Sequence, residues 1–172
     1  MKRILTRLVA LLALSAGASL PVLGGCNGAQ KFDIGLTSKA TQKVEVDLIA
    51  VPENEADTTW RAKNLDDYFS GNDTLRSDHA ERTKSYTFTE GQSARITINK
   101  DDPIWNKWDD KRPLLVVLAN SRSLRAEAQK AGGQDPRRNV IPLNEKYWSE
   151  EKKFEITVTD GGIQVNPPPQ PR

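Results

Sequence analysis

Residues 114–119 read LLVVLA, a continuous apolar run. A short run of this kind with adjacent β-branched residues is typical of a strand that is covered on both faces. It therefore predicts a central strand of the fold.

On either side of this run, apolar and polar residues alternate with the period of two that marks half-buried strands. The segment 43–51, KVEVDLIAV, has this pattern. Alternating residues on both sides of Glu-Gly-Gln at 90–92 predict a hairpin over 83–98. The turn Asp-Gly-Gly at 160–162 predicts a second hairpin over 154–165.

Helical signals are short and lie between the predicted strands. Asn64 can cap LDDYF, and Asp102 followed by Pro103 is a second helix start. Ser123 can open LRAEAQKA, which two glycines follow. Because long helices do not alternate with strands, we predict a mainly β fold, an antiparallel, immunoglobulin-like β-sandwich with short helical insertions.

The first 25 residues have the pattern of a signal peptide. Lys2, Arg3 and Arg7 precede the apolar stretch 8–20. As a helix with about 1.5 Å per residue, this stretch spans roughly 20 Å, less than the ~30 Å hydrocarbon core of a bilayer. We therefore expect export and removal of the segment rather than a retained membrane helix.

The segment ends in LGGC at 23–26, which matches a lipobox, and the chain here resembles bacterial lipoproteins. The resemblance implies cleavage before Cys26 and a diacylglycerol on its sulfur. Asn27 in place of aspartate implies transfer to the outer membrane, with the folded part facing the periplasm. An ordinary secretory signal and a buried structural thiol are the two alternatives for Cys26, and no disulfide is available because it is the only cysteine.

These patterns divide the chain into four parts. Residues 1–25 form the signal peptide, and 26–42 form the lipidated cysteine with a flexible tether of roughly 20 to 24 Å. Residues 43–165 form the β-sandwich domain, and 166–172 form a Pro-rich disordered tail.

The charge of the chain argues against a nucleic-acid partner. Removal of residues 1–25 takes away three basic residues and changes the formal charge from +2 to −1. The remaining lysines and arginines are interspersed with Asp and Glu, so no basic patch is evident.

The sequence contains no motif of a nucleophilic, metal-dependent or nucleotide-binding enzyme. His79 is the only histidine, and its polar surroundings favour a surface residue over a general base. The acidic doublets at 66–67, 101–102 and 109–110 are explained better by helix termini than by a glycosidase pair or a calcium site. We therefore predict no catalytic residue, metal or cofactor.

Tryptophan is over-represented among the aromatic residues, and two interpretations stay open. The tryptophans can cover the ends of the sandwich, or they can form a partner-binding surface with nearby arginines. Its candidate residues are Trp60, Arg61, Trp105, Trp108, Arg122, Arg125, Arg137 and Arg138, and the fourth tryptophan is Trp148.

Several of these segments together resemble the outer-membrane lipoprotein of the type VI secretion membrane complex. They are the lipobox, VEVDLIAV at 44–51, LDDYF at 65–69, the EGQ turn and LLVVLANSR at 114–122. The resemblance implies a transthyretin-like β-sandwich with helical additions. It also implies that loops at one end bind the periplasmic part of an inner-membrane subunit. In this chain we expect that surface in the loops 52–63 and 120–139, which are long, polar and contain arginines.

Two alternatives follow from other properties of such a domain. A periplasmic ligand-binding or envelope-assembly lipoprotein would hold a small molecule or lipid in an apolar pocket between the sheets. An enzyme would need His79 in a cleft within hydrogen-bond reach of a carboxylate and a hydroxyl.

Overall fold

The computed structural model describes residues 30–90, 94–109, 111–148 and 152–170. Within these ranges the chain folds into two four-stranded sheets, which confirms the predicted mainly β sandwich. The strands are β1 (Asp33–Ser38), β2 (Val44–Val51), β3 (Thr83–Phe88), β4 (Arg95–Ile98), β5 (Leu114–Asn120), β6 (Arg138–Pro142), β7 (Lys153–Thr159) and β8 (Gly162–Asn166).

The two sheets have different strand orders. The β1 sheet has the order β4-β1-β7-β8, and the β2 sheet has the order β3-β2-β5-β6. The pair β1 and β7 is parallel, whereas the other paired strands run antiparallel. The predicted hairpin of β7 and β8 is confirmed, with Val158 opposite Ile163.

Strand β5 is the central strand that its apolar run predicted. It lies between β2 and β6, and residues 115–119 are fully buried. Leu115, Val117 and Ala119 pack into the core between the sheets, whereas Val116 and Leu118 pack on the outer face of the β2 sheet. Both faces of β5 are buried, which explains why its sequence is apolar at every position from 114 to 119.

Short helices cover that outer face and connect the strands. They are α1 (Glu53–Glu55) continuing into a π-helix (Ala56–Trp60), α2 (Leu65–Tyr68), α3 (Thr74–Asp78), α4 (Arg122–Lys130) and 3₁₀ turns at Ala80–Arg82, Pro103–Asn106 and Glu145–Tyr147. Trp60, Leu65 and Tyr68 pack against the outer face of the β2 sheet. None of the helices in the described ranges combines the length and hydropathy that crossing a membrane would require.

Two of the three predicted helix caps are confirmed. Asn64 accepts a hydrogen bond from the Asp66 backbone, and Asp102 accepts one from Ile104. The cap of α4 is Ser121, whose hydroxyl accepts from the Leu124 backbone, so the prediction of Ser123 was wrong by two residues.

The predicted hairpin over 83–98 is wrong. β3 pairs with β2, whereas β4 pairs with β1 in the other sheet. Alternation identifies a half-buried strand but does not identify the strand that pairs with it. Here β3 extends the β2 sheet and β4 extends the β1 sheet, and the inner faces of the two sheets form the core.

The segment predicted as a flexible tether contains part of the sandwich. β1 lies inside the β1 sheet, and Phe32, Ile34 and Leu36 have no exposed surface. The backbone amide of Gln30 donates to the carbonyl of Leu143 at 2.9 Å, so the body begins at least at residue 30. The small and polar neighbours of this alternation hid it in the sequence, and residues 26–29 lie outside the described residues.

The C-terminal segment also contacts the body. β8 extends to Asn166, and the amide of Gln170 donates to the carbonyl of Tyr147 at 3.0 Å. The prediction of a disordered tail is therefore wrong up to residue 170, and 171–172 lie outside the described residues.

The strand directions give the sandwich two distinct ends. At the entry end β1 and β7 begin, and Gln30, Leu143 and Lys152 lie there. At the far end β1 and β7 finish, β5 leads into α4, and β6 begins. β2 alone spans about 23 Å between the two ends, at about 3.3 Å per residue.

We predict that Phe32→Ala destabilises the fold by about 3 to 5 kcal/mol, because it removes a buried ring and leaves a cavity. The Phe32 ring lies 5.7 Å from the rings of Trp148 and Phe154. Urea unfolding measures the change. Lys31→Ala, at an exposed neighbouring position, is the control and should change stability by less than about 0.5 kcal/mol. An equal loss of stability from the two substitutions would contradict the burial of Phe32 in the core.

Candidate docking surface

Arginines at the far end hold the loops together. Arg137 is 5 % exposed and donates to Asp66 of α2 at 2.6 Å and to Asp135 at 2.9 Å. Burial opposes its charge, yet these two hydrogen bonds raise the pKa of Arg137. Its guanidinium is thus occupied within the fold, where it joins α2 to the start of β6.

Arg138 makes a second connection. Its Nη1 donates to the carbonyl of Arg61 and its Nη2 to the carbonyl of Lys63, so it fixes the loop between the π-helix and α2. Its Nε is buried and has no hydrogen-bond partner in the described part of the chain. Burial, followed by the charges of Arg137 and Arg61, lowers the pKa of Arg138.

Two surface cavities lie beside Arg138. One has a volume of about 360 Å³ and extends to the β7–β8 turn at Gly161. The other has a volume of about 420 Å³ and is lined by the side chains of Arg61 and Lys63. Both share Gln134, Asp135 and Arg138 and are open to solvent.

Helix α4 adds two exposed cations to the same end. Arg122 and Arg125 are exposed, and α4 is positioned by Ser123, which donates to Asp160 at 2.8 Å. The backbone amide of Thr41 also donates to Asp160, and these hydrogen bonds lower the pKa of that carboxyl. The carboxylate thus joins α4, the β7–β8 turn and the β1–β2 connection. We define the arginine surface as Arg61, Lys63, Arg122, Arg125, Gln134 and Arg138.

The structure separates two of the candidate tryptophans from these arginines. Trp105 donates to the carbonyl of Asn99 at 2.9 Å, and Trp108 donates to that of Arg82 at 2.8 Å. Both carbonyls lie at the entry end, where β4 finishes and β3 begins. The two indoles are 3 % and 1 % exposed, so they cover the end of the core and present almost no surface to a partner.

Trp60 and Trp148 are also buried. Trp60 has no exposed surface and packs in the helical layer, with its ring 6.0 Å from that of Tyr68. Trp148 is 3 % exposed and stacks on Phe154 at 4.5 Å. The four tryptophans therefore occupy positions of packing residues. Among the candidate docking residues, Arg61, Arg122 and Arg125 are exposed.

His79 is buried, and its expected surface position is wrong. It is 8 % exposed because it stacks on Trp60 at 5.1 Å, a contact between helices that the polar local sequence does not indicate. Arg82 donates to its Nδ1 at 2.7 Å, which leaves the proton of the neutral ring on Nε2. Burial, followed by the charge of Arg82, lowers the pKa of His79.

The surroundings of His79 do not form a general-base site. Its Nε2 lies 4.0 Å from Glu55, beyond hydrogen-bond length. The nearby hydroxyl of Thr83 donates to the backbone carbonyl of His79 rather than to the ring. Among the described residues, the histidine therefore has neither the carboxylate nor the hydroxyl partner that a triad needs.

The acidic doublets serve structural roles in the residues that are described. Asp66 pairs with Arg137, Asp102 caps a helix and accepts from Lys84 at 3.0 Å, and Asp109 pairs with Arg112 at 2.5 Å. The described ranges contain no group of His, Cys, Asp or Glu residues that could hold a metal ion. Cys26 lies outside the described residues.

The candidate loops 52–63 and 120–139 contain Lys63 and Gln134 of the arginine surface and the cavity residue Asp135, but the sequence did not single out these three residues. The role of Lys63 depends in part on its backbone carbonyl, which no side-chain pattern reports. Gln134 and Asp135 follow two glycines in a loop, and the loop composition alone gave no sign that it lines two cavities.

Comparison with known proteins identifies similar folds among solved structures. No family model and no curated protein sequence matches the chain. A structure described as a type VI membrane complex aligns with a TM-score of 0.51 and 14% identity, over 80% of this chain and 100% of that one. This chain shares the fold of that structure. At this identity the likeness concerns the fold alone.

Two further structures align less closely. The type VI secretion lipoprotein TssJ1 from Pseudomonas aeruginosa has a TM-score of 0.47 and 15% identity, over 83% of this chain and 99% of that one. Lip from Serratia marcescens, described as a membrane-bound component of the type VI secretion system, has a TM-score of 0.47 and 10% identity, over 78% and 94%.

We predict that acid weakens the fold through His79. Its folded pKa lies below the ordinary value of about 6.5, so the unfolded chain takes up a proton that the folded chain does not. The fold has its full stability above about pH 6.5 and loses stability as the pH falls toward the folded pKa of His79. The total loss is about 1.4 kcal/mol for each unit by which the folded pKa lies below the unfolded pKa.

Urea unfolding between about pH 7 and pH 5 measures this loss. The matched variant His79→Phe keeps an aromatic ring against Trp60 but does not titrate. Its stability should vary less over the same interval, because the chain contains no other histidine. The same pH dependence in both chains would show that His79 is not the cause.

Proposed function

We propose that this chain is an outer-membrane-anchored periplasmic lipoprotein that acts as a non-catalytic docking subunit of an envelope-spanning complex of the type VI secretion kind. The observation that carries the proposal is that the chain enters the sandwich at one end and the arginine surface lies at the opposite end. Gln30, which follows Cys26 by four positions, lies at the entry end, and the arginine surface lies at the far end.

The anchor rests on the lipobox. Cys26 follows two glycines and precedes Asn27, the arrangement that in bacterial lipoproteins accompanies cleavage, acylation and transfer to the outer membrane. Two or more acyl chains hold a soluble domain on a membrane, whereas one gives weak and reversible binding. The folded domain would then be tethered at its entry end and would face the periplasm.

Docking rests on the character of the far end. Arginine is one of the residue types enriched at interface hot spots, and Arg122 and Arg125 are exposed on a helix whose start is fixed by Asp160. Arg61 adds a third exposed guanidinium, whose Nε donates to the exposed carboxylate of Asp57 at 2.6 Å. A surface that is already ordered loses little entropy on binding, so these cations suit a partner with complementary carboxylates.

The partner we propose is the periplasmic part of an inner-membrane secretion subunit. The similar solved structure is described as a membrane complex, and a lipid-anchored sandwich with a docking surface at the opposite end fits such an assembly. The alternative of a ligand-binding lipoprotein requires an apolar pocket between the sheets. That space is filled by large side chains such as Trp105, Trp108 and Phe154, and the described cavities beside Arg138 are polar.

The anchor is tested by the mass and location of the chain. We predict that the natural chain is recovered with outer membranes, begins at Cys26 and carries acyl chains on that residue. Cys26→Ser should carry no lipid and leave the outer-membrane fraction, because the sulfur is the acylated atom. Mass spectrometry that finds an unmodified Cys26 in the natural chain would rule out the anchor.

Docking is tested by charge reversal at the far end. We predict that Arg122→Glu with Arg125→Glu weakens binding to the periplasmic part of the inner-membrane subunit by about tenfold or more, a loss of about 1.4 kcal/mol. Isothermal titration or biolayer interferometry measures the affinity. The fold should be unaffected, because the two side chains project from the exposed face of α4.

The matched control reverses two exposed lysines near the entry end, Lys107→Glu with Lys111→Glu. It makes the same change in net charge and should leave the affinity nearly unchanged. Equal loss in both double variants would mean that overall charge, and not the arginine surface, determines binding.

A further inference from the structure

We infer that the entry end rests on the phosphate-bearing headgroup surface of the membrane that holds Cys26, so that the arginine surface points away from the lipid. The inference deepens the proposed function and rests on its lipid anchor. It adds a fixed orientation and a contact surface to what would otherwise be a freely moving domain.

The chain is bonded to the folded body at Gln30, the first described residue after Cys26. The amide of Gln30 is bonded to Leu143, and the next apolar residue, Phe32, is completely buried against Trp148 and Phe154. β1 follows directly as an inner strand of its sheet. The body therefore cannot unwind this segment to lengthen its tether without losing part of the core.

Only a short length of chain joins Cys26 to this point. Three residues, 27–29, separate Cys26 from Gln30. Even fully extended, the connection from Cys26 to Gln30 reaches about 14 Å, at no more than 3.6 Å per residue. The headgroup layer on each side of a bilayer is itself about 5 to 8 Å thick. Such a short connection keeps the entry end at the lipid surface, whereas the tether expected from sequence would let the body stand off by more than 20 Å.

The surface around Gln30 carries exposed lysines and a half-buried tyrosine. Lys31 and Lys146 are exposed, and the ammonium of Lys146 lies 5.0 Å from the centre of the Tyr147 ring. Long lysine stems with a cationic tip, beside a half-buried tyrosine, suit the boundary between lipid and water. We name Gln30, Lys31, Lys146, Tyr147 and Gln170 the entry corner.

Two described carboxylates near the entry corner are paired with lysines. Glu145 lies 3.6 Å from Lys152, and Asp33 lies 3.2 Å from Lys100. Their repulsion of lipid phosphate is thereby reduced. Lys31 and Lys146 are exposed and form no ion pair with another described residue, so their ammonium groups can approach phosphate oxygens, and an anionic leaflet strengthens this attraction.

A site-specific fluorescence measurement tests the orientation. Cys26 is the only cysteine, and its sulfur is acylated in the lipidated chain, so one introduced cysteine is the single reactive thiol. Gln170→Cys places a fluorophore in the entry corner, and Arg125→Cys places one at the far end. The lipidated chain is reconstituted in vesicles of phosphatidylethanolamine and phosphatidylglycerol that carry a quencher on the headgroup.

The fluorophore at 170 should lose most of its emission, whereas the fluorophore at 125 should keep nearly all of it. Equal quenching at both positions, or none at either, on a chain whose mass confirms the lipid would overturn the orientation and leave the anchor intact. A chain without lipid would overturn both the orientation and the proposed anchor. The two failures are therefore distinguishable.

Charge reversal tests the contact itself. Lys31→Glu with Lys146→Glu should reduce the quenching of the fluorophore at 170, because the headgroups then repel the entry corner. Lys39→Glu with Lys43→Glu makes the same change at exposed positions of the far end and should leave the quenching unchanged. If the entry-corner reversal leaves the quenching unchanged as well, the lysines do not contact the headgroups and that contact is disproved.

Discussion

Burial of β5 on both faces is the constraint on which the rest of the structure depends. The inner face completes the core between the sheets, and the outer face requires a second layer to cover Val116 and Leu118. The chain supplies that layer with the segment between β2 and β3, whose π-helix and α2 contribute Trp60, Leu65 and Tyr68. Because this layer crosses the β2 sheet, it brings Arg61 and Lys63 to β6, where Arg138 fixes them. The arginine surface is thus a consequence of covering one strand.

A buried carboxylate fixes the register of the helical layer on the sheet. Asp47 of β2 has no exposed surface, and it accepts hydrogen bonds from the Tyr68 hydroxyl at 3.0 Å and from Arg76 Nε at 3.0 Å. Burial, followed by the charge of Asp47, raises the pKa of Tyr68, so the hydroxyl stays a donor. An unpaired carboxylate in this place would be strongly destabilising, and α2 and α3 can therefore sit on the sheet in one arrangement far better than in others. Apolar packing alone would specify this position less sharply.

The two ends of the sandwich have different chemical characters, which connects the fold to the proposed role. The entry end is closed by indoles whose N–H groups are bonded to backbone carbonyls, and it receives the chain that follows Cys26. The far end carries guanidinium groups, two polar cavities and a helix held by Asp160. In the proposed docking role, the sandwich would hold the anchored end and the arginine surface at a fixed separation.

The sequence by itself determined the features that depend on neighbouring residues. The central strand, the β7–β8 hairpin and the caps Asn64 and Asp102 follow from local alternation, turn chemistry and short-range hydrogen bonds. The arginines of the arginine surface could be named from the sequence, since they lie in polar loops. The sequence could not show which arginines are bonded within the fold and which are exposed. Arg137 and Arg138 are bonded to residues more than seventy positions away.

The tertiary structure decided everything that depends on contacts between distant segments. It placed β3 and β4 in different sheets, seated Phe32 and β1 in the core, and buried His79 against Trp60. It also separated Trp105 and Trp108 from the arginines by the length of the sandwich. The physical reason is that periodicity along a chain reports which face of a segment is apolar, whereas the partner that covers this face is chosen by the packing of the whole domain.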